Sequence, residues 1–248
     1  ARYFIWSNGL QNLGDQIVAA KTVLPALFSA AGVPAFFTGL LTPIRESGSM
    51  RPQAALTPWV VSHPARKRLW VLGSVGQGLC AAIIAAAAVL VDGPLLGLIV
   101  CLALAALAVL RALCSLTGKD VQGRTISKGH RGVVTGRATQ LGGAVTLITG
   151  GILAVLGELP RWGLAALLAI GAATWFLAAA VFRTIEEPVP DDAGQKCLNR
   201  SWWTDTWKLY TQDSRFRSFV NVRALLLVSA LSTSFIVVLS QSIGSQAL

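Results

Sequence analysis

Long apolar runs dominate the chain. Leu69–Val91 is broken only by Ser74, Gln77 and glycines, and Leu95–Leu116 carries the single charge of Arg111. Ala138–Leu156, Trp162–Phe182 and Ala224–Ile243 carry no charge. A helix needs about 20 apolar residues to cross the hydrocarbon core of a bilayer, so each run predicts a transmembrane helix. The N-terminal stretch differs. Ile17–Ile44 is apolar apart from Lys21, yet it holds Pro25, Gly32, Pro34 and Gly39. An interior proline removes a helix hydrogen bond, and a Gly-x-Pro step reads as a turn. The pattern therefore predicts a helical hairpin: a span from about Gly9 to Ala31, a turn at Gly32–Pro34, and a second span to about Met50. The fold class is all-α, a polytopic transmembrane helical bundle of seven spans.

The cations fall between these spans with a strict alternation. Arg45, Arg51, Arg66, Lys67 and Arg68 follow the second span; Lys119, Arg124, Lys128, Arg131 and Arg137 separate the fourth from the fifth. Arg183, Lys196, Arg200, Lys208, Arg215, Arg217 and Arg223 precede the seventh, bringing the total to 17 of the 21 Lys and Arg residues. The alternate connections, Gly32–Pro34, Asp92–Leu95 and Gly157–Arg161, are short and nearly free of cations. Basic loops stay on the cytoplasmic side, which predicts a cytoplasmic N-terminus. Residues 1–183 then form a six-helix bundle, 184–222 a cytoplasmic linker, and 223–248 the seventh helix. Within the linker, Trp203, Trp207 and Tyr210 recur at helical spacing among charges, which predicts an amphipathic helix lying at the headgroup level, with a helix packed on a soluble partner as the alternative.

Composition narrows the class further. The chain is 54% hydrophobic and 13% charged, against roughly 25% charged in soluble domains, and its mean hydropathy is +0.62. The lipid bilayer is its expected partner. The net charge of +10 follows from the basic loops and does not call for nucleic acid. Cys80, Cys101, Cys114 and Cys197 lack metal-ligand spacing, and three of them sit in apolar runs, where cysteine acts as a small hydrophobe. The chain opens Ala1-Arg2-Tyr3 without Met or a signal peptide, which reads as a fragment or trimmed chain.

No catalytic constellation stands out. His63 and His130 lie in basic loops without a placed carboxylate or nucleophile, and Gly73–Gly78 departs from a phosphate-binding pattern and falls inside a span. Neither an enzyme nor a cofactor nor a metal is expected. The chemistry lies in polar residues within spans, which are costly in lipid and face a cavity or the bundle interior. Asn8, Gln11, Asn12 and Asp15 share one face of the first helix at i, i+3, i+4 and i+7. They are the leading candidates for solute or proton binding, with Asp15 foremost; a structural pair between Asp15 and another helix is the alternative. Gln77 and Gln140 are further candidates, or bonds to neighbouring helices. Arg111, at the cytoplasmic end of its span, is expected to snorkel to the interface. Gly142, Thr146 and Gly150 make small-xxx-small steps suited to close helix contact.

The loops carry a resemblance. Gly39-Leu40-Leu41-Thr42-Pro43-Ile44-Arg45-Glu46-Ser47-Gly48 follows the second span and Gly118-Lys119-Asp120-Val121-Gln122-Gly123-Arg124 the fourth, with Lys128-Gly129-His130-Arg131 after it. With Asp213–Arg223 before the last span, these resemble the major facilitator superfamily, in particular bacterial members of undefined substrate. The match to that family's Gly-x-x-x-Asp-Arg-x-Gly-Arg loop is altered in order at Arg45-Glu46-Ser47-Gly48 and better at Asp120-x-x-Gly123-Arg124. The resemblance implies a secondary active transporter of a small solute in a bacterial inner membrane, with protons as a candidate coupling ion. It implies gate-loop roles for Arg45, Glu46, Gly48, Asp120, Gly123, Arg124 and Arg131. It also implies a partner, the C-terminal half of the same chain, of which about five helices would be missing. A polytopic scaffold or sensory protein without a transport cycle is the competing class.

Overall fold

A computed structural model describes residues 2–18, 23–63, 65–156, 159–186, 202–223 and 225. These residues fold into helices, with no strand among them: α1 (Arg2–Ile17), α2 (Val23–Ala30), α3 (Ala35–Ser62), α4 (Arg66–Leu90), α5 (Gly93–Thr125), α6 (Arg131–Leu156), α7 (Arg161–Arg183) and α8 (Trp202–Gln212). The protein is an all-α helical bundle. Among the described residues, α4, α5 and α7 are long and apolar enough to cross a membrane, which marks the protein as membrane-associated. The seventh apolar run apart from residue 225, Lys21 and the acidic start of the linker beyond Glu186 lie outside the described residues.

Helices outrun the apolar runs that announce them. The first begins at Arg2 rather than near Gly9, and α3 continues through Pro43 and Pro52 to Ser62. Arg45, Glu46 and Gly48 are therefore helical and not part of a loop. Likewise α5 runs to Thr125 and carries Asp120, Gly123 and Arg124, while Arg131 opens α6. The connection between α5 and α6 shrinks to a few residues around a 3₁₀ turn at Lys128–His130. The physical reason is cooperativity: once a helix is nucleated, each added residue gains a hydrogen bond without a new nucleation cost. An apolar run measures the hydrocarbon, not the helix. Interior prolines are tolerated in such bundles because neighbouring groups can satisfy the freed backbone.

The expected turn at Gly32–Pro34 is present. Gly32 has φ of +64° and Gly93 +60°, a left-handed conformation that costs other residues a Cβ clash. The Gly93 amide donates to the Ala31 carbonyl at 3.3 Å, tying two connections together. Arg161 closes the same end by donating to the Ala88 and Val91 carbonyls and to Asp92. The opposite end gathers the basic segments. There Trp70 of α4 stacks on Phe182 of α7 at 3.7 Å and Phe4 of α1 meets Phe182 at 6.2 Å. Lys67 Nζ donates to the Ile185 carbonyl at 2.8 Å, and Arg66 Nε to Asp120 Oδ2 at 2.7 Å.

Packing within residues 1–196 pairs α1 with α6 and α7, α4 with α5 and α7, and α3 with α5. Exchanging α1, α3 and α4 for α5, α6 and α7 leaves this set of pairings unchanged. Because α1 runs away from the basic end and α5 toward it, the two triplets are inverted. Glycines set the close approaches. A Cβ on Gly14 would meet Thr174 Oγ1 at 2.7 Å and the Trp175 ring at 2.9 Å, and one on Gly73 would meet Cys114 Sγ at 2.6 Å. The main core joins Leu24, Leu27 and Phe28 of α2 to Ile84, Leu104, Leu168 and Trp175.

The second unit, residues 197–248, contains α8 and a further helical stretch over 214–223. Asp213 Oδ1 accepts from the Arg215 and Phe216 amides at 2.8 and 3.2 Å, an N-cap that satisfies donors the helix start leaves open. Trp207 and Tyr210 sit 5.7 Å apart, and the Tyr210 hydroxyl donates to Asn221 Oδ1 at 2.9 Å. The Trp203 side chain lies outside the described residues.

Candidate functional site

The polar face of α1 splits between two sets of neighbours. By helical geometry its four residues span an arc of about 100°, with Gln11 and Asp15 toward one edge and Asn12 at the other. Asn12 packs against α6, where a Cβ on Gly142 would meet Asn12 Nδ2 at 2.7 Å. Asn8 turns back and donates to the Phe4 carbonyl at 2.8 Å. Gln11 and Asp15 point instead toward α3, α4 and α5.

Asp15 is the hub of an ion triad. Its Oδ1 accepts from Arg45 Nη2 of α3 at 2.5 Å, and its Oδ2 pairs with Arg111 Nη2 of α5 at 2.7 Å. The side chains are 12%, 19% and 29% exposed for Asp15, Arg45 and Arg111, so all three lie largely within the bundle. The expectation that Arg111 snorkels to the interface is corrected: its guanidinium turns inward to a carboxylate. Desolvation explains the choice, since a lone charge at depth is costly and two opposite charges offset one another. The triad also links helices whose main packing partners differ, α1 resting on α6 and α7 while α3 and α5 pack together. Long side chains make the connection here, and long side chains can re-pair without repacking a core.

A buried polar set adjoins the triad at Cys114. Gln77 is fully buried, and its Nε2 donates to the Gly73 carbonyl and to Cys114 Sγ, both at 3.2 Å. The Cys114 thiol in turn donates to the Trp70 carbonyl at 3.4 Å. Gln11, 2% exposed, lies beside the same thiol, which also feels the charges of Arg111 and Asp15. Gln77 Oε1 and Arg45 Nη1 are sealed from solvent without a hydrogen-bond partner among the described residues. Ser74 serves packing: its hydroxyl donates to the Trp175 carbonyl at 2.9 Å, joining α4 to α7.

The remaining candidates fall elsewhere. Gln140 is exposed on α6 and outside the cluster. Asp120 bridges Arg66 at 2.7 Å and Arg124 at 3.7 Å, linking the start of α4 to the end of α5. Arg131 caps α5: its Nε donates to the Ile126 carbonyl at 2.9 Å and its Nη2 to that of Gly123. A Cβ on Gly123 would meet open space. The side chains of Glu46 and Thr146 lie outside the described residues, and the surroundings of Gly150 are likewise not described. An open apolar groove of about 540 Å³ runs between α4 and α7, lined by Ala82, Ala85, Trp162 and Ala165 among others, with no charged residue in its walls. The polar cluster, not this groove, holds the reactive groups.

Sequence reasoning placed Asp15 and Gln77 inside the bundle but missed Arg45, Arg111 and Cys114 as their partners. A signal existed. Asp15 is the one acid of the first span and Arg111 the one charge of the fourth, and isolated opposite charges inside a bundle pair with one another. No family model, curated protein or solved structure matches the chain.

Proposed function

We propose that the chain is part of a secondary active transporter that carries a small solute across a membrane by alternating access. The observation that supports this best is the triad of Asp15, Arg45 and Arg111 inside an apolar bundle. Interior charges are expensive in lipid and commonly mark solute or ion pathways. The inverted exchange of α1, α3 and α4 with α5, α6 and α7 adds support, because such repeats recur in transporters that rock around a central site. The loop resemblance to the major facilitator superfamily belongs to the same reading, as do a bacterial inner membrane and a cytoplasmic N-terminus. In this reading the triad is the moving part: solute binding redistributes the two guanidinium groups of Arg45 and Arg111 between Asp15 and the solute, and the helices carrying them shift accordingly.

Proton coupling is a further proposal within this reading, with Asp15 as the coupling group. The test is uptake by the intact protein in proteoliposomes, with and without an imposed pH gradient. Solute accumulation above empty liposomes is expected, and its response to the gradient should vanish in Asp15→Asn. A gradient-driven uptake that survives Asp15→Asn removes Asp15 from coupling. Solute binding without any flux would favour a membrane scaffold or sensor.

A further inference from the structure

The helix over 214–223 has two unlike faces. Asn221 and Arg217 turn to α8: Asn221 Oδ1 accepts from the Tyr210 hydroxyl at 2.9 Å, and Arg217 Nη1 donates to the Thr211 carbonyl at 3.4 Å. Helical geometry puts Arg215, Phe219, Val222 and Arg223 on the opposite side, at i, i+4, i+7 and i+8. Phe219 and Val222 are 63% and 56% exposed, and both arginines are exposed as well. Trp207 of α8, with its ring 5.7 Å from that of Tyr210, is also exposed. The contacts that join the two helices thus leave uncovered a face with an apolar centre and an arginine at each end.

Position and charge identify what lies against this face. Arg223 directly precedes the uncharged run Ala224–Ile243, which the sequence reads as a span. Phe219 stands five residues before that run, about 7.5 Å of helix. The headgroup layer on each side of the hydrocarbon is roughly 5–8 Å deep, so Phe219 falls within it. Side chains at that level meet acyl chains on one side and phosphates on the other. Phe and Val suit the first, and the planar, forked donors of arginine suit the second. Tryptophan and tyrosine favour the same level. Residues 197–248 set Arg200, Lys208, Arg215, Arg217 and Arg223 against Asp205 and Asp213, a net charge of +3, and Asp213 is engaged in capping the helix. A zwitterionic surface would satisfy the apolar centre alone, whereas the excess cations gain further from an anionic one.

We infer that the face formed by Arg215, Phe219, Val222 and Arg223 docks on anionic phospholipid headgroups, with Trp207 as a neighbouring anchor. The inference needs the chain to lie at a membrane and is independent of transport. It extends the headgroup reading of α8 to a second helix and gives that reading a lipid preference. Docking strengthens as anionic lipid is added and weakens as salt shortens the reach of the surface charge.

The test follows a nitroxide attached at Val222→Cys on the intact protein in lipid nanodiscs, in a Cys197→Ser background; Cys80, Cys101 and Cys114 are buried. Its accessibility to oxygen, which concentrates in lipid, against that to a water-soluble nickel chelate gives the docked-to-free ratio. Replacing pure phosphatidylcholine with an equimolar mixture containing phosphatidylglycerol should raise that ratio about tenfold or more. Each cation near an anionic surface is worth roughly fivefold in binding. Arg215→Gln/Arg223→Gln should therefore lower the ratio in the anionic nanodiscs about 25-fold, while Arg215→Lys/Arg223→Lys should keep it. Raising the salt from about 0.1 to 1 M shortens the Debye length from about 10 to 3 Å and should undock the wild-type face. A label at Ser214→Cys, on the far side of the helix, should stay in water throughout. Equal docking with and without phosphatidylglycerol would show apolar contact alone. A label shielded from both reagents would show a face covered by the chain itself, and one in water in both lipids a face left open to a soluble partner. Each of these results overturns the inference, as does an unmoved ratio in the glutamine variant.

Discussion

Removing the negative charge from the triad should cost more than removing either positive one, and a second charge removal should restore stability. Arg45 Nη2 and Arg111 Nη2 hold opposite oxygens of one carboxylate at 2.5 and 2.7 Å. Their separation is therefore at most about 7 Å, and Coulomb's law at an effective dielectric constant near 20 gives roughly 2 kcal/mol of repulsion between them. In the wild-type protein Asp15 more than offsets this. Asp15→Asn exposes it in full, whereas Arg45→Gln leaves a neutral Asp15–Arg111 pair and Arg111→Gln a neutral Asp15–Arg45 pair. The double variant Asp15→Asn/Arg111→Gln should accordingly be more stable than Asp15→Asn, by about 2 kcal/mol. For a chain of this size that corresponds to roughly 4–8 °C in Tm. The assay is thermal unfolding of the four proteins in the same detergent or nanodisc, read as a double-mutant cycle. If the double variant is less stable than Asp15→Asn, the two guanidinium groups do not oppose one another across Asp15 and the geometry of the site is wrong.

Three further outcomes follow from the packing. Gly73→Ala places a Cβ 2.6 Å from Cys114 Sγ and 3.2 Å from the Leu110 carbonyl, which should cost about 1–3 kcal/mol of overpacking; Cys114→Ala should recover much of it, and full additivity in equilibrium unfolding would show that the sulfur is not the obstacle. Gly32→Ala, with open space around its Cβ but φ of +64°, should lose about 1–2 kcal/mol through backbone strain alone, so an unchanged unfolding midpoint would refute that account. Cysteines introduced at Arg68 and Gly129 should react with an impermeant maleimide from one compartment and those at Gly32 and Gly93 from the other; labelling of Arg68 and Gly129 from opposite sides would contradict the gathering of basic segments at one end.

The helix count along Leu69–Val91, Leu95–Leu116 and Trp162–Phe182 was legible because helices in lipid must present apolar side chains over the full hydrocarbon thickness. The turn at Gly32–Pro34 was legible because Gly and Pro act through their own backbone geometry. Helix ends were not. Arg45 and Asp120 read as loop residues because they are charged, yet both sit in helices that extend past the apolar stretch. The site was half legible. The sequence marks Asp15 as an unusual interior acid, but it does not say whether its partner is solute, proton or cation.

By itself the sequence determined what is apolar, how long each apolar segment runs and where the cations cluster. These are one-dimensional properties, fixed by the transfer of each segment from water into lipid. Only the tertiary structure decided that Arg45, 30 residues on from Asp15, and Arg111 of α5 converge on one carboxylate, with Gln11, Gln77 and Cys114 beside it. That choice depends on which helices the glycine notches let together, and on long side chains reaching across the space between helices that do not pack closely. Periodicity along one helix carries no information about either.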